Sequence, residues 1–82
     1  MLKIVSVKID EIYIPTARRG ELDQSKVDAV TEKLLNGEDP KPIKVRNGKG
    51  RYVLVEGMNR LEANRALGET DIGAYIVQAP KF

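Results

Sequence analysis

"PIKVRNGKGRYVLVEG", residues 42–57, runs without a break into "MNRLEANRALG", residues 58–68, and the junction between them decides the fold. Two runs of alternating apolar and polar side chains flank Asn47-Gly48. This pattern predicts a β-hairpin, because Asn-Gly accepts the backbone reversal that joins antiparallel strands. At Gly57 the period changes to that of a helix. Leu61 and Leu67 mark its apolar side, and Gly68 stands where a helix ends. A glycine between a strand and a helix start leaves backbone amides free beside the positive end of the helix dipole. Gly57, Asn59 and Arg60 therefore make either a phosphate site or only a turn.

Working outward, "LDQSKVDAVTEKLLNG" (22–37) predicts a helix. Val27, Val30, Leu34 and Leu35 recur at helical spacing, Asp23 can cap the first amides, and Gly37 can end it. "EDPKP" breaks the chain before the hairpin. "LKIVSVKI" (2–9) alternates as a strand with Val5, Val7 and Ile9 on one side. "DEIYIP" continues it or forms a second short extended piece that Pro15 ends. "TARRGE" reads as a loop. "TDIGAYIV" (70–77) is a last strand with Ile72, Ala74 and Ile76 on one face, and "QAPKF" is a tail. The order strand, helix, hairpin, helix, strand predicts an α+β fold, a small mixed sheet covered by two main helices. Val27, Val30 and Leu34 on one helix and Leu61 and Leu67 on the other would cover that sheet.

With 82 residues the chain is one domain, 1–82, with a small core. Its 41% hydrophobic and 32% charged residues suit a soluble domain rather than a disordered one. No segment reads as a membrane span or signal peptide, so a cytoplasmic site is the default expectation. Cysteine and histidine are both absent. That removes disulfides, the usual zinc centres, thiol nucleophiles and histidine-based triads, and neither zinc nor haem is expected. Chemistry is left to carboxylates, hydroxyls, lysines, arginines, backbone amides, or magnesium held by oxygens. The net charge of +2 is modest, yet "KPIKVRNGKGR" (41–51) holds five basic residues and no acid.

The blocks "VKIDEIYIP", "LDQSKVDAV" and "PIKVR…YVLVEGMNRLEANRALG", with a closing strand, cover nearly the whole chain in order. Together they resemble the ParB/sulfiredoxin superfamily, whose signature Gly-x-x-Arg-x-x-Ala falls on Gly57–Ala63. The superfamily includes the amino-terminal domain of partition proteins, the sulfiredoxins and an archaeal free-serine kinase. The resemblance implies nucleotide binding (ATP, ADP or CTP, with magnesium). The phosphates would lie over Gly57, Met58, Asn59 and Arg60, with Lys26 and the loop residue Arg19 as further contacts. Sulfiredoxins place a catalytic cysteine and a histidine after the glycine; here these are Met58 and Asn59. A thioether has no thiolate form, so sulfiredoxin activity is not expected. The kinase places a carboxylate before the glycine, as Glu56 does here. Glu56 is thus the candidate catalytic group and magnesium ligand.

Four readings of function compete. One is a nucleotide-binding module with slow NTP hydrolysis in a DNA-partition or DNA-processing setting. Another is phosphoryl transfer to a small hydroxylated acceptor. A third reading is a DNA-binding or nuclease module acting through Lys44, Arg46, Lys49 and Arg51. A fourth is binding of a protein partner. For Gly57 the bland alternative is a simple turn. For Lys26, Arg19 and the hairpin cations it is a solvated surface, and for Glu56 a surface carboxylate at a strand end.

Overall fold

The computed structural model describes residues 3–78. The expected strand start at Leu2 and the tail beyond Gln78 lie outside these residues. Five strands form one mixed sheet: β1 (Ile4–Lys8), β2 (Ile12–Tyr13), β3 (Ile43–Asn47), β4 (Tyr52–Glu56) and β5 (Asp71–Ile76). The helices are α1 (Thr16–Arg19), α2 (Gln24–Leu35) and α3 (Met58–Ala66). The strand order is β1-β5-β3-β4-β2. β1 and β5 pair antiparallel, as do β3 and β4 of the hairpin, whereas β3 with β5 and β2 with β4 are parallel. The α+β class and the small mixed sheet expected from the sequence are both found.

Alternation puts Val7, Ile12, Ile43, Val45, Leu54, Ile72 and Ala74 on one face of the sheet, and Met58 and Leu61 of α3 pack onto them. Leu61, Ile43 and Val45 are fully buried. α2 lies mainly against α3 rather than on the sheet, a correction to the expected arrangement. Among its residues Val27 alone is buried, Val30 and Leu34 are half-covered, and Leu35 is 71% exposed. Leu35 therefore lies off the packed stripe. Leu67, which caps the carboxy end of α3, is also exposed.

Three local expectations change. The hairpin reverses at Lys49–Gly50, not at Asn47-Gly48: Gly50 carries φ +69°, and the Gly48 amide donates to the Arg51 carbonyl at 2.8 Å. The segment read as a loop at 16–21 contains α1. The Arg18 and Arg19 amides bond back to the Pro15 carbonyl, and the Arg18 side chain meets Glu21 at 2.8 Å, an i,i+3 pair. The "DEIYIP" stretch does form the second short extended piece, the two-residue β2, but a 3-10 turn, Ile9–Glu11, leads into it.

The helix ends follow the sequence. Asp23 caps α2 through the Ser25 amide. Both main helices close with paired carboxy-terminal bonds, from the Gly37 and Glu38 amides in α2 and from the Gly68 and Glu69 amides in α3. Gly57 turns β4 into α3 with φ +109°, and a Cβ there would come within 2.6 Å of Ile43 Cγ2.

Gly57→Ala should therefore lose about 1–3 kcal/mol from backbone strain alone, with the Ile43 clash adding to it. Leu61→Ala should lose about 2–5 kcal/mol through the cavity left in the core. Urea unfolding of the two variants checks both; a Gly57→Ala midpoint equal to the parent's would overturn the turn assignment.

Candidate functional site

The first turns of α2 and α3 open on one groove of about 530 Å³. Its walls are Glu21, Lys26, Ala29, Val30, Glu56, Gly57, Met58, Asn59 and Arg60. Lys26 and Arg60 come from sequence positions far apart and still line the same space. Both are third residues of their helices, where a cation opposes the helix dipole and an anion favours it. The two helix starts differ. Asp23 caps α2, while Gly57 offers no side chain to α3. The amides of Met58, Asn59 and Arg60 have no intrahelical partner, because the first turn of any α-helix leaves these donors free.

Each side chain sits in a specific local frame. Arg60 is half-buried and donates from Nη1 to the Pro42 carbonyl at 3.2 Å, which fixes its stem while leaving other guanidinium donors. Asn59 is engaged by the fold: its Oδ1 accepts from the Asp23 amide at 2.8 Å and its Nδ2 donates to the Glu21 carbonyl at 3.4 Å. It ties the start of α3 to the segment leading into α2. Met58 is buried with its side chain in the core, so only its backbone is offered to the groove. The side chain that Gly57 lacks would point at Ile43, not into the groove. Gly57 is therefore demanded by the turn, and its gift to the groove is the helix start it sets up. Glu56 closes the strand side and pairs with Lys44 at 3.2 Å, both side chains being exposed.

Arg19 departs from expectation. Its Nε donates to the Ile14 carbonyl, and it lines a different cleft with Ile12, Tyr13, Leu22 and Glu62. Arg18 is the arginine nearer the groove. It pairs with groove-lining Glu21 and donates to the Val55 carbonyl at 3.3 Å. Val55 is the extra residue of a bulge in β4, since Lys44 opposes Glu56 while Val45 opposes Leu54. Sequence reasoning missed Arg18 and Glu21 because it read their segment as a loop; the "RRGE" spacing was the available signal. It also missed Asn64, a buried polar residue that donates to the Arg60 carbonyl at 2.7 Å. Lys44, Arg46, Lys49 and Arg51 lie outside the groove walls. Among the described residues no group of three acidic side chains is placed to hold a metal ion, and no helix is long and apolar enough to cross a membrane.

The family model of the ParB N-terminal domain matches residues 1–81, so the chain belongs to the ParB N-terminal domain family. The fold is that of known structures. Sulfiredoxin from Arabidopsis thaliana superposes with a TM-score of 0.79 at 28% identity, over 94% of this chain and 86% of that one. The C-terminally truncated chromosome-partitioning protein ParB from Caulobacter crescentus, complexed with CTP-gamma-S, gives 0.78 at 17% identity, over 96% of this chain and 46% of that one. A free serine kinase mutant in complex with AMP gives 0.76 at 20% identity, over 93% of this chain and 31% of that one. The chain thus spans less than half the length of the latter two. No curated protein sequence is significantly similar to it.

The Asp23 carboxyl is held below its ordinary value of 3.8, chiefly by the Ser25 hydroxyl and then by the Ser25 amide. A depressed carboxyl stabilises the fold above the unfolded-state value and loses that contribution as the pH falls through the lower, folded value. Asp23→Ala should lower the melting temperature at neutral pH, and the gap to the parent should close as the pH falls below 3.8. A gap that stays constant with pH would show that the cap's charge plays no part.

Proposed function

We propose that the groove between the starts of α2 and α3 binds the phosphates of a nucleotide, ATP, ADP or CTP. The observation that carries this is the convergence of Lys26 and Arg60 on one space beside the uncapped start of α3. Two cations and a row of free amides form an anion site that needs no metal to be attractive. A second recess of about 230 Å³, lined by Val30, Leu34, Pro40 and Asn64 and by the charged Lys33, Glu38, Asp39 and Lys41, shares Val30 and Arg60 with the groove. It offers a short apolar wall of Val30, Leu34 and Pro40 rimmed by charged groups, which suits a ribose or base. The fold likeness to proteins solved with CTP-gamma-S and AMP supports the same reading.

Magnesium would be a companion of the phosphates in this groove. Glu56, now paired with Lys44, would supply one carboxylate, and magnesium in phosphate sites commonly takes one or two carboxylates with phosphate oxygens and waters. When bound it would neutralise phosphate charge. Glu56 is also the group placed to accept a proton from a water or a small acceptor hydroxyl. Slow hydrolysis or phosphoryl transfer is the reaction class this supports.

Arg60→Ala and Lys26→Ala should each weaken nucleotide binding, by about tenfold to a hundredfold for the arginine, since a hydrogen bond to a charged group contributes about 1.5–3 kcal/mol. Calorimetry with ATP, ADP and CTP, with and without magnesium, reads this directly. Unchanged dissociation constants in both variants would place the site elsewhere. Glu56→Gln should stop any phosphate release while leaving nucleotide binding without magnesium within about threefold, because it removes the proton acceptor and keeps the side chain's shape.

A further inference from the structure

α2 and α3 lie on the face of the sheet that carries Ile43, Val45 and Leu54. The opposite face carries the alternate residues, and the pairing registers lay them out in rows. Ile4, Tyr75, Lys44 and Glu56 adjoin in one row across β1, β5, β3 and β4. Arg46, Val53 and Tyr13 adjoin in the next, across β3, β4 and β2. Lys8 and Asp71 form an outer pair, and between them Ser6 faces Gly73, which keeps the surface shallow. Arg51, from the hairpin turn, stacks on the Tyr13 ring with its guanidinium carbon 4.0 Å from the centroid.

The charge on this face is one-sided. Lys8, Lys44, Arg46 and Arg51 stand against two carboxylates, Glu56 and Asp71. This surplus of two positive charges equals the +2 of the whole chain, so the rest of the molecule is balanced. Basic character is gathered on the sheet. Among these cations sit two aromatic points, Tyr75 and the Tyr13–Arg51 stack. They are three strand spacings apart across the sheet, about 14 Å, and one row apart along the strands. Ile4, 58% exposed, extends the apolar platform beside Tyr75.

We infer that this helix-free sheet face binds single-stranded nucleic acid. Cations track a phosphate backbone, and aromatic or guanidinium planes stack on unpaired bases; a shallow sheet presents both together. A duplex hides its base faces and could use only the charges. The occupant favoured by the charge surplus and the two stacking points is thus a flexible single strand. The surface is separate from the nucleotide groove, which it meets only at Glu56.

The test is fluorescence anisotropy with a labelled oligothymidylate of about 15 nucleotides, the upper range of a small stacking site. Binding should weaken with salt with a log–log slope of about −2 to −3, as three to four phosphate contacts on a single strand require. Tyr75→Leu keeps the bulk of the side chain and should weaken binding about tenfold. Arg46→Glu should weaken it and flatten the slope by about one contact's worth. An abasic strand of equal length should bind at least about tenfold more weakly, which needs no variant to fold. Melting temperatures check that both variants remain folded. Equal affinity for the abasic strand or for a duplex would overturn the inference, as would affinity unmoved in both variants. So would a parent protein that self-associates through this face and binds no oligonucleotide.

Discussion

The contact that the rest of the structure depends on is the one between the Gly57 backbone and Ile43. Ile43 begins β3 and is fully buried, and its side chain fills the space that any Cβ at position 57 would need. The hairpin can therefore feed α3 only through a glycine in a left-handed conformation. That turn sets where α3 starts, where its free amides point and which side of Leu61 meets the sheet. It also brings Arg60 to the Pro42 carbonyl at the entrance to β3. The groove exists because the core closes there.

Residues near the groove carry structural and chemical duties at once, as expected of a domain with little core to spare. Asn59 joins α3 to the segment before α2 through two bonds to residues 21 and 23. Arg18 answers the carbonyl exposed by the β4 bulge and holds Glu21 at the groove wall. The bulge also offsets the end of β4, so that Glu56 lies beside Lys44 at the rim of the groove. These exposed pairs add little stability individually. Their effect is to restrict where charges can sit around the helix starts.

What could be read from the sequence was local. Alternation across residues 43–56, the Asp23 cap and the glycines after α2 and α3 concern neighbours within a few residues, and each is found close to its expected place. Lys26, Glu56, Gly57 and Arg60 could be placed at one site because helix starts and a strand end have their own electrostatic grammar. The misses share a different cause. Arg19 and Arg18 are adjacent in sequence, and only the α1 backbone decides which of them turns toward the groove. The duty of Asn59 depends on residues 36 and 38 positions away. The Val55 bulge depends on register with β3, and the preference of α2 for α3 over the sheet is a matter of tertiary packing. The hairpin turn moved by two residues because Gly50, rather than Gly48, took the positive φ.

The strand order has a kinetic consequence. β1 pairs with β5, so residues 4–8 wait for residues 71–76 before either edge is satisfied. β5 then joins β3 in parallel, another contact between distant segments. Each doubling of a closed loop costs only about 0.6 kcal/mol, yet that entropy must be lost before the contacts return it. During synthesis the hairpin and α3 can assemble as soon as they emerge, whereas β1 is made first and stays unpaired longest. Its alternating Ile4-Val5-Ser6-Val7-Lys8 run is open on both edges until the last strand appears, and on one edge in the finished sheet. The lysine at its end and the serine at its centre are then the features that discourage pairing with another nascent chain.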